Sequence, residues 1–162
     1  MSASLATGTA TFAAASNFAY EVDSSQLGSL GTAADLLVVS GDLTLDPANG
    51  TLLTFTDLNN TPAPFVEDTT IFALINYSGS WNGGLFRYGG NALADGSQFQ
   101  AGSQWWEIDY NSSTGGDNFT SDYLPSSSFV TVTAVPEPGT FALMSIGAGL
   151  MTLAVGLRRI PR

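Results

Sequence analysis

The chain of 162 residues contains no cysteine, no histidine and no lysine, and its only cations are four arginines. Without His there is no Ser-His-Asp triad, and without Cys there is no thiolate nucleophile, no disulfide framework and no thiolate-histidine zinc site. The lack of Lys removes Schiff-base chemistry and the phosphate-binding P-loop. Oxygen donors remain, so no cofactor is expected beyond a hard cation such as calcium held by carboxylates.

Positive charge is scarce and unevenly placed. Residues 1–134 carry thirteen Asp or Glu against Arg87 alone, a net charge of −12. Such a body repels polyanions, so a nucleic-acid partner is not expected. The other three cations, Arg158, Arg159 and Arg162, end the chain. Immediately before them, residues 139–157 are uncharged and dominated by apolar side chains, among them Phe141, Leu143, Ile146, Leu150 and Val155. As a helix this stretch would reach about 28 Å, near the ~30 Å hydrocarbon core of a bilayer. A transmembrane helix is therefore expected at 140–157, with a basic cytoplasmic tail at 158–162 and everything before it outside. Pro136 and Pro138 cannot continue a helix and favour extended predecessors, giving a stiff collar at 135–139.

The collar Val135-Pro136-Glu137-Pro138, the apolar segment and the closing Arg158, Arg159 and Arg162 together resemble the PEP-CTERM sorting signal of Gram-negative bacteria. That resemblance implies an exosortase-like membrane protease as partner and an inner-membrane-anchored intermediate. The product would be a secreted protein of the cell surface, extracellular matrix or biofilm. The run Arg158-Arg159-Ile160-Pro161-Arg162 is less dense in charge than many such tails.

The opposite end reads differently. Residues 1–16 have no basic region and no sustained apolar run, so they make a poor secretory signal and are expected to be poorly ordered. The expectation is either that translation starts upstream of Met1 or, the preferred reading, that this chain is the last part of a longer exported passenger whose export signal lies upstream.

Between these ends the pattern is β, and 17–134 is expected to be one exported domain. Phe18, Tyr20 and Val22 alternate with Ala19 and Glu21, and Leu53 and Phe55 with Thr54 and Thr56, as strands with one wet face do. Leu43 and Leu45 alternate with Asp42, Thr44 and Asp46 in the same way, whereas 36–39 is a continuous apolar run suited to burial on both faces. Further strands are predicted at 69–77, 84–88, 105–110 and 128–134, separated by Gly-, Pro- and Asn-rich loops. The fold class is all-β, with two architectures open: a β-solenoid with cap-like rungs, or a jelly-roll-type sandwich. No clean internal period recurs.

Residues 17–23, 35–45, 70–77 and 129–134 are also similar to the terminal segment that follows autotransporter-associated β-strand repeats in bacterial surface proteins. That similarity implies β-helical rungs, with this domain as the terminal cap.

One strand carries a candidate ligand site. In 105–110 alternation places Trp105, Glu107 and Asp109 on one face and Trp106, Ile108 and Tyr110 on the other. An indole beside two carboxylates could bind a sugar or calcium, and Trp81 adds a further aromatic. The blander reading puts Trp106, Ile108 and Tyr110 in the core and leaves the two acids to solvate the surface. The expected function is thus that of a non-enzymatic surface protein with a removable sorting signal. A carbohydrate-binding, or less readily carbohydrate-processing, domain on the same tail is the alternative, with extracellular polysaccharide as its partner.

Overall fold

The computed structural model describes residues 4–27, 33–59, 65–116 and 123–139. It is all-β. Three successive stretches of chain lie side by side in parallel, each crossing the same surfaces in the same order. The first contributes β1 (Ser4–Thr7), β2 (Ala10–Thr11) and β3 (Asn17–Val22). A one-turn 3-10 segment, Ser24–Gln26, follows, with the Asp23 side chain capping it at Ser25 N. The second stretch contributes β4 (Leu36–Val39), β5 (Leu43–Thr44) and β6 (Thr51–Asp57), and the third β7 (Ile71–Tyr77) and β8 (Phe86–Tyr88). Then come β9 (Asn91–Leu93), β10 (Gln98–Ala101), β11 (Gln104–Ser112) and β12 (Ser128–Val135).

Pairing makes the coiling explicit. β1 pairs with β4 and β4 with β7, β2 with β5, and β3 with β6 and β6 with β8, all in parallel. An isolated parallel bridge, Leu43 to Trp81, continues the β2–β5 ladder into the third stretch. The resulting sheets have orders β1-β4-β7-β12-β11-β10 and β3-β6-β8-β9, with the β2–β5 ladder on the chain's path between them.

No closed solenoid forms. Only three stretches stack in parallel, and β9 to β12 then run antiparallel, β9 onto β8 and β12 onto β7 with β11 and β10 beyond it. A jelly roll is not formed either, because that architecture is built from antiparallel strands. The segment 1–16, expected to be poorly ordered, supplies β1 and β2. Among the described residues no helix is long and apolar enough to cross a membrane. The transmembrane segment expected at 140–157 and the basic tail at 158–162 lie outside the described residues.

Aromatic side chains fill the space between the two larger sheets. Phe55 of β6 lies 5.4 Å from the Tyr20 ring, 6.4 Å from Phe99 and 5.0 Å from Trp106, which in turn lies 5.7 Å from Phe72. These pairs join β3 and β6 of one sheet to β7, β10 and β11 of the other, each contributing about 0.5–1.5 kcal/mol beyond burial. Polar tips also cross the gap, since the Tyr20 hydroxyl donates to Ala73 O at 3.3 Å. The larger sheet is covered behind as well: Leu36, Val38, Ala73 and Phe129 form a second cluster under Tyr123 and Leu124. That two-sided cover is why the central strands β4 and β7 read as apolar runs rather than as alternations.

Candidate sorting junction

β12 delivers the collar. It lies between β7 and β11, and the chain is held to its last residue: Trp105 faces Val135, Trp106 faces Ala134, and both Ala134 and Val135 are buried. On the β7 side, Ala134 N donates to Thr70 O at 2.9 Å and Asp68 N donates to Ala134 O at 2.7 Å. Immediately afterwards Pro136 is half-buried, while Glu137 and Pro138 are exposed. Buried strand thus passes into the exposed Glu137-Pro138 across a single residue.

Gln104 fastens this exit. The hairpin between β10 and β11 turns through Gly102 and Ser103, with Ala101 opposite Gln104. Gly102 has φ +63 and is the only one of the two central residues in the left-handed region, the pattern of a type II′ turn. The turn sets Gln104 at the start of β11, where its Nε2 donates to Trp105 O at 2.9 Å and to Val135 O at 3.0 Å. A side-chain amide thereby satisfies the last strand carbonyl, immediately before Pro136. Nothing in the sequence singled out Gln104; its role comes from the β11–β12 register, which residue pattern alone does not encode.

Beside the junction lies a cavity of about 220 Å³ whose lining includes Phe55, Asp57, Phe65, Ser103, Gln104 and Trp106. Trp105, Glu107 and Asp109 do not line it. As expected they share one face of β11, with Trp106, Ile108 and Tyr110 buried on the other. The carboxylates are engaged locally: Gln98 Nε2 donates to Glu107 Oε2 at 3.2 Å, and Asn111 N donates to Asp109 Oδ1 at 2.8 Å. Trp81 is no exposed platform, since it stacks on Tyr110 at 4.9 Å with planes 7° apart. Among the described residues no group of three acids converges to hold a metal ion.

Tyr110 anchors the opposite side of β11. Its hydroxyl donates to Leu93 O at 2.8 Å and accepts from Phe86 N at 2.7 Å, tying β11 to β8 and β9 across the core. Burial raises its pKa well above the ordinary tyrosine value, and burial raises that of Tyr77 as well. The Tyr77 hydroxyl donates to Tyr110 O at 2.8 Å, bracing β7 against β11.

Comparison with known families matches residues 134–159 to the PEP-CTERM protein-sorting motif. The matched stretch begins on Ala134, the penultimate residue of β12, and includes Val135, Pro136, Glu137, Pro138, Arg158 and Arg159; Arg162 follows it. Arg158, Arg159 and Arg162 lie outside the described residues. No curated protein and no solved structure matches the chain. The expected similarity of the body to proteins with autotransporter-associated β-strand repeats finds no support, the family match being confined to the tail. A motif of this kind marks an exported protein that is processed at the membrane.

Proposed function

We propose that the chain is a non-enzymatic passenger whose β body is delivered to the cell surface or extracellular matrix once an exosortase-like protease has removed its C-terminal signal. The observation that carries this reading is the sorting motif at 134–159, which begins on the last buried residues of a central strand and continues through the half-buried Pro136 into the exposed Glu137 and Pro138. Export with the C-terminus in the cytoplasm accords with the clustering of three of the four arginines beyond the apolar segment.

The junction leaves little slack. Four residues separate Val135 from the body of the apolar segment at 140, and the five fully extended steps between them span at most about 17 Å. The folded body therefore rides against the membrane surface until the tail is cut. Cleavage falls on the tail side of Val135, because the backbone before it is locked between two strands and shielded from a protease. A sugar-binding role would rest on Trp105, Glu107 and Asp109, but Trp105 stands without the companion platform that Trp81 would have supplied, so the passenger reading is preferred.

Expression of the chain behind an export signal, in paired bacterial hosts with and without an exosortase, tests the proposal. A shortened, tail-free product is expected only where the enzyme is present. Identical products in both hosts would overturn it.

A further inference from the structure

A second feature lies at the opposite corner of the coiled stack. Turns from all three parallel stretches converge there: the turn before β3 at 13–16, the turn before β6 at 47–50, and the hairpin joining β8 to β9 at 89–90. Backbone bonds tie them, with Leu52 N donating to Ser16 O at 3.0 Å and Thr51 N to Leu85 O at 2.9 Å. Between them is a groove of about 470 Å³ whose lining includes Ala15, Ser16, Asn49, Gly50, Leu52 and Arg87.

Arg87 is the only cation in residues 1–134. Among the described residues no carboxylate pairs with it, although the body carries thirteen. Its one hydrogen bond runs from Nη2 to Gly90 O at 2.8 Å, in the Gly89-Gly90 turn whose φ values of +57 and +87 suit a type I′ hairpin. Of the five N–H donors of a guanidinium, most thus have no protein acceptor among the described residues. The backbone makes room for the side chain: a Cβ on Gly50 would lie 2.5 Å from Arg87 Cγ and 2.9 Å from Cδ, and Gly50 sits at φ +78. The stem of Arg87 is therefore held over a glycine that no other residue could replace without displacing it.

The geometry points to a binding groove for a small monocarboxylate, with Arg87 taking the two carboxylate oxygens. A planar fork matches a carboxylate in bidentate fashion, which a lysine cannot do. A single negative charge is the right complement, because the −12 field of the body opposes multiply charged ligands while one guanidinium offsets one charge. The exposed amide of Asn49 offers a donor and an acceptor to the rest of the ligand, and the Leu52 side chain, 47% exposed, offers apolar contact. This site is independent of the sorting signal and of its processing.

The test uses the full chain in neutral detergent and follows the Arg87 Nε–H signal by NMR, which is tractable in a protein with four arginines. Titration with acetate or with glucuronate, a simple acid and a sugar acid, is expected to give a saturable shift; glucose should give none, and citrate should bind more weakly than acetate. The stronger of the two acids identifies the ligand's body. Arg87→Gln is expected to weaken binding about tenfold or more, the worth of charge-assisted hydrogen bonds. Arg87→Lys, which keeps the charge and loses the fork, should fall severalfold below the parent. Absence of a saturable Arg87 shift with both acids would overturn the proposal, as would Arg87→Gln binding within twofold of the parent. The Arg87 signal of the parent protein decides the matter even if a variant fails to fold.

Discussion

Tyr110 carries its hydroxyl into the interior of the body and uses it in both directions, as donor to Leu93 O and acceptor from Phe86 N. Replacement by Phe keeps the ring stacked on Trp81 but strands a buried N–H and a buried carbonyl, at a cost of about 1–3 kcal/mol. Denaturant unfolding of Tyr110→Phe should show that loss with the slope of the transition unchanged. The same hydroxyl gives the fold an alkaline limit. Its folded pKa is raised by burial, so above the ordinary value near 10 the unfolded chain releases a proton that the folded chain keeps. Stability is then fully present below pH 10 and declines as pH rises past it, with Tyr77 adding in the same direction. Thermal melts between pH 8 and 11.5 should show this decline, and Tyr110→Phe should make it shallower. Gln104 acts at the same scale on the exit strand: Gln104→Ala removes two hydrogen bonds worth about 1 kcal/mol each. Limited proteolysis should then cut faster near Val135 while the core stays protected.

At the level of elements, the stacking of the third stretch on the second depends on close backbone approach. Gly84, at φ +81, passes so near Leu45 that a Cβ would lie 2.2 Å from its carbonyl oxygen. Gly84→Val should destabilise by about 2–4 kcal/mol through combined strain and overpacking, and amide exchange should quicken first in β5 and β8. The strands themselves were largely legible. Alternation located β3 and β6, the continuous apolar run located β4, and β7, β8, β11 and β12 followed from aromatic and β-branched clusters. The misses have physical reasons. β1 has Leu5 as its one large apolar residue and β2 is only the pair Ala10–Thr11, so neither is long enough to show an alternation. β9 is three residues long, and β10 spends its alternation on Phe99 and Ala101 between glutamines. Stacking was hidden by uneven spacing: Ser4 meets Leu36 at an offset of 32, Asn17 meets Leu52 at 35, and Leu37 meets Ile75 at 38. Connecting loops of different length leave no constant period to find in the sequence.

For the whole molecule, sequence and structure divide the work. The tail is legible in the sequence because its collar, apolar run and arginines form a linear signal, and the family match at 134–159 covers all of it up to Arg159. The mounting of that tail is legible only in three dimensions, where β12 is seen to lie between β7 and β11 and to be fastened by Gln104 up to its last carbonyl. The candidate face at Trp105, Glu107 and Asp109 was placed correctly by alternation, yet pattern could not reveal that Trp81 packs against Tyr110 instead of joining it. A body locked to Val135 and a signal that begins there make processing the property on which the account stands. Its most direct test is the intact mass of the product released from an exosortase-bearing host, for the parent chain and for a Pro136→Ala, Pro138→Ala variant. The account predicts a parent product that retains Val135 and lacks the apolar segment and terminal arginines, and a variant that stays full-length in the membrane. Normal processing of the variant, or a parent product cut within β12, would contradict it.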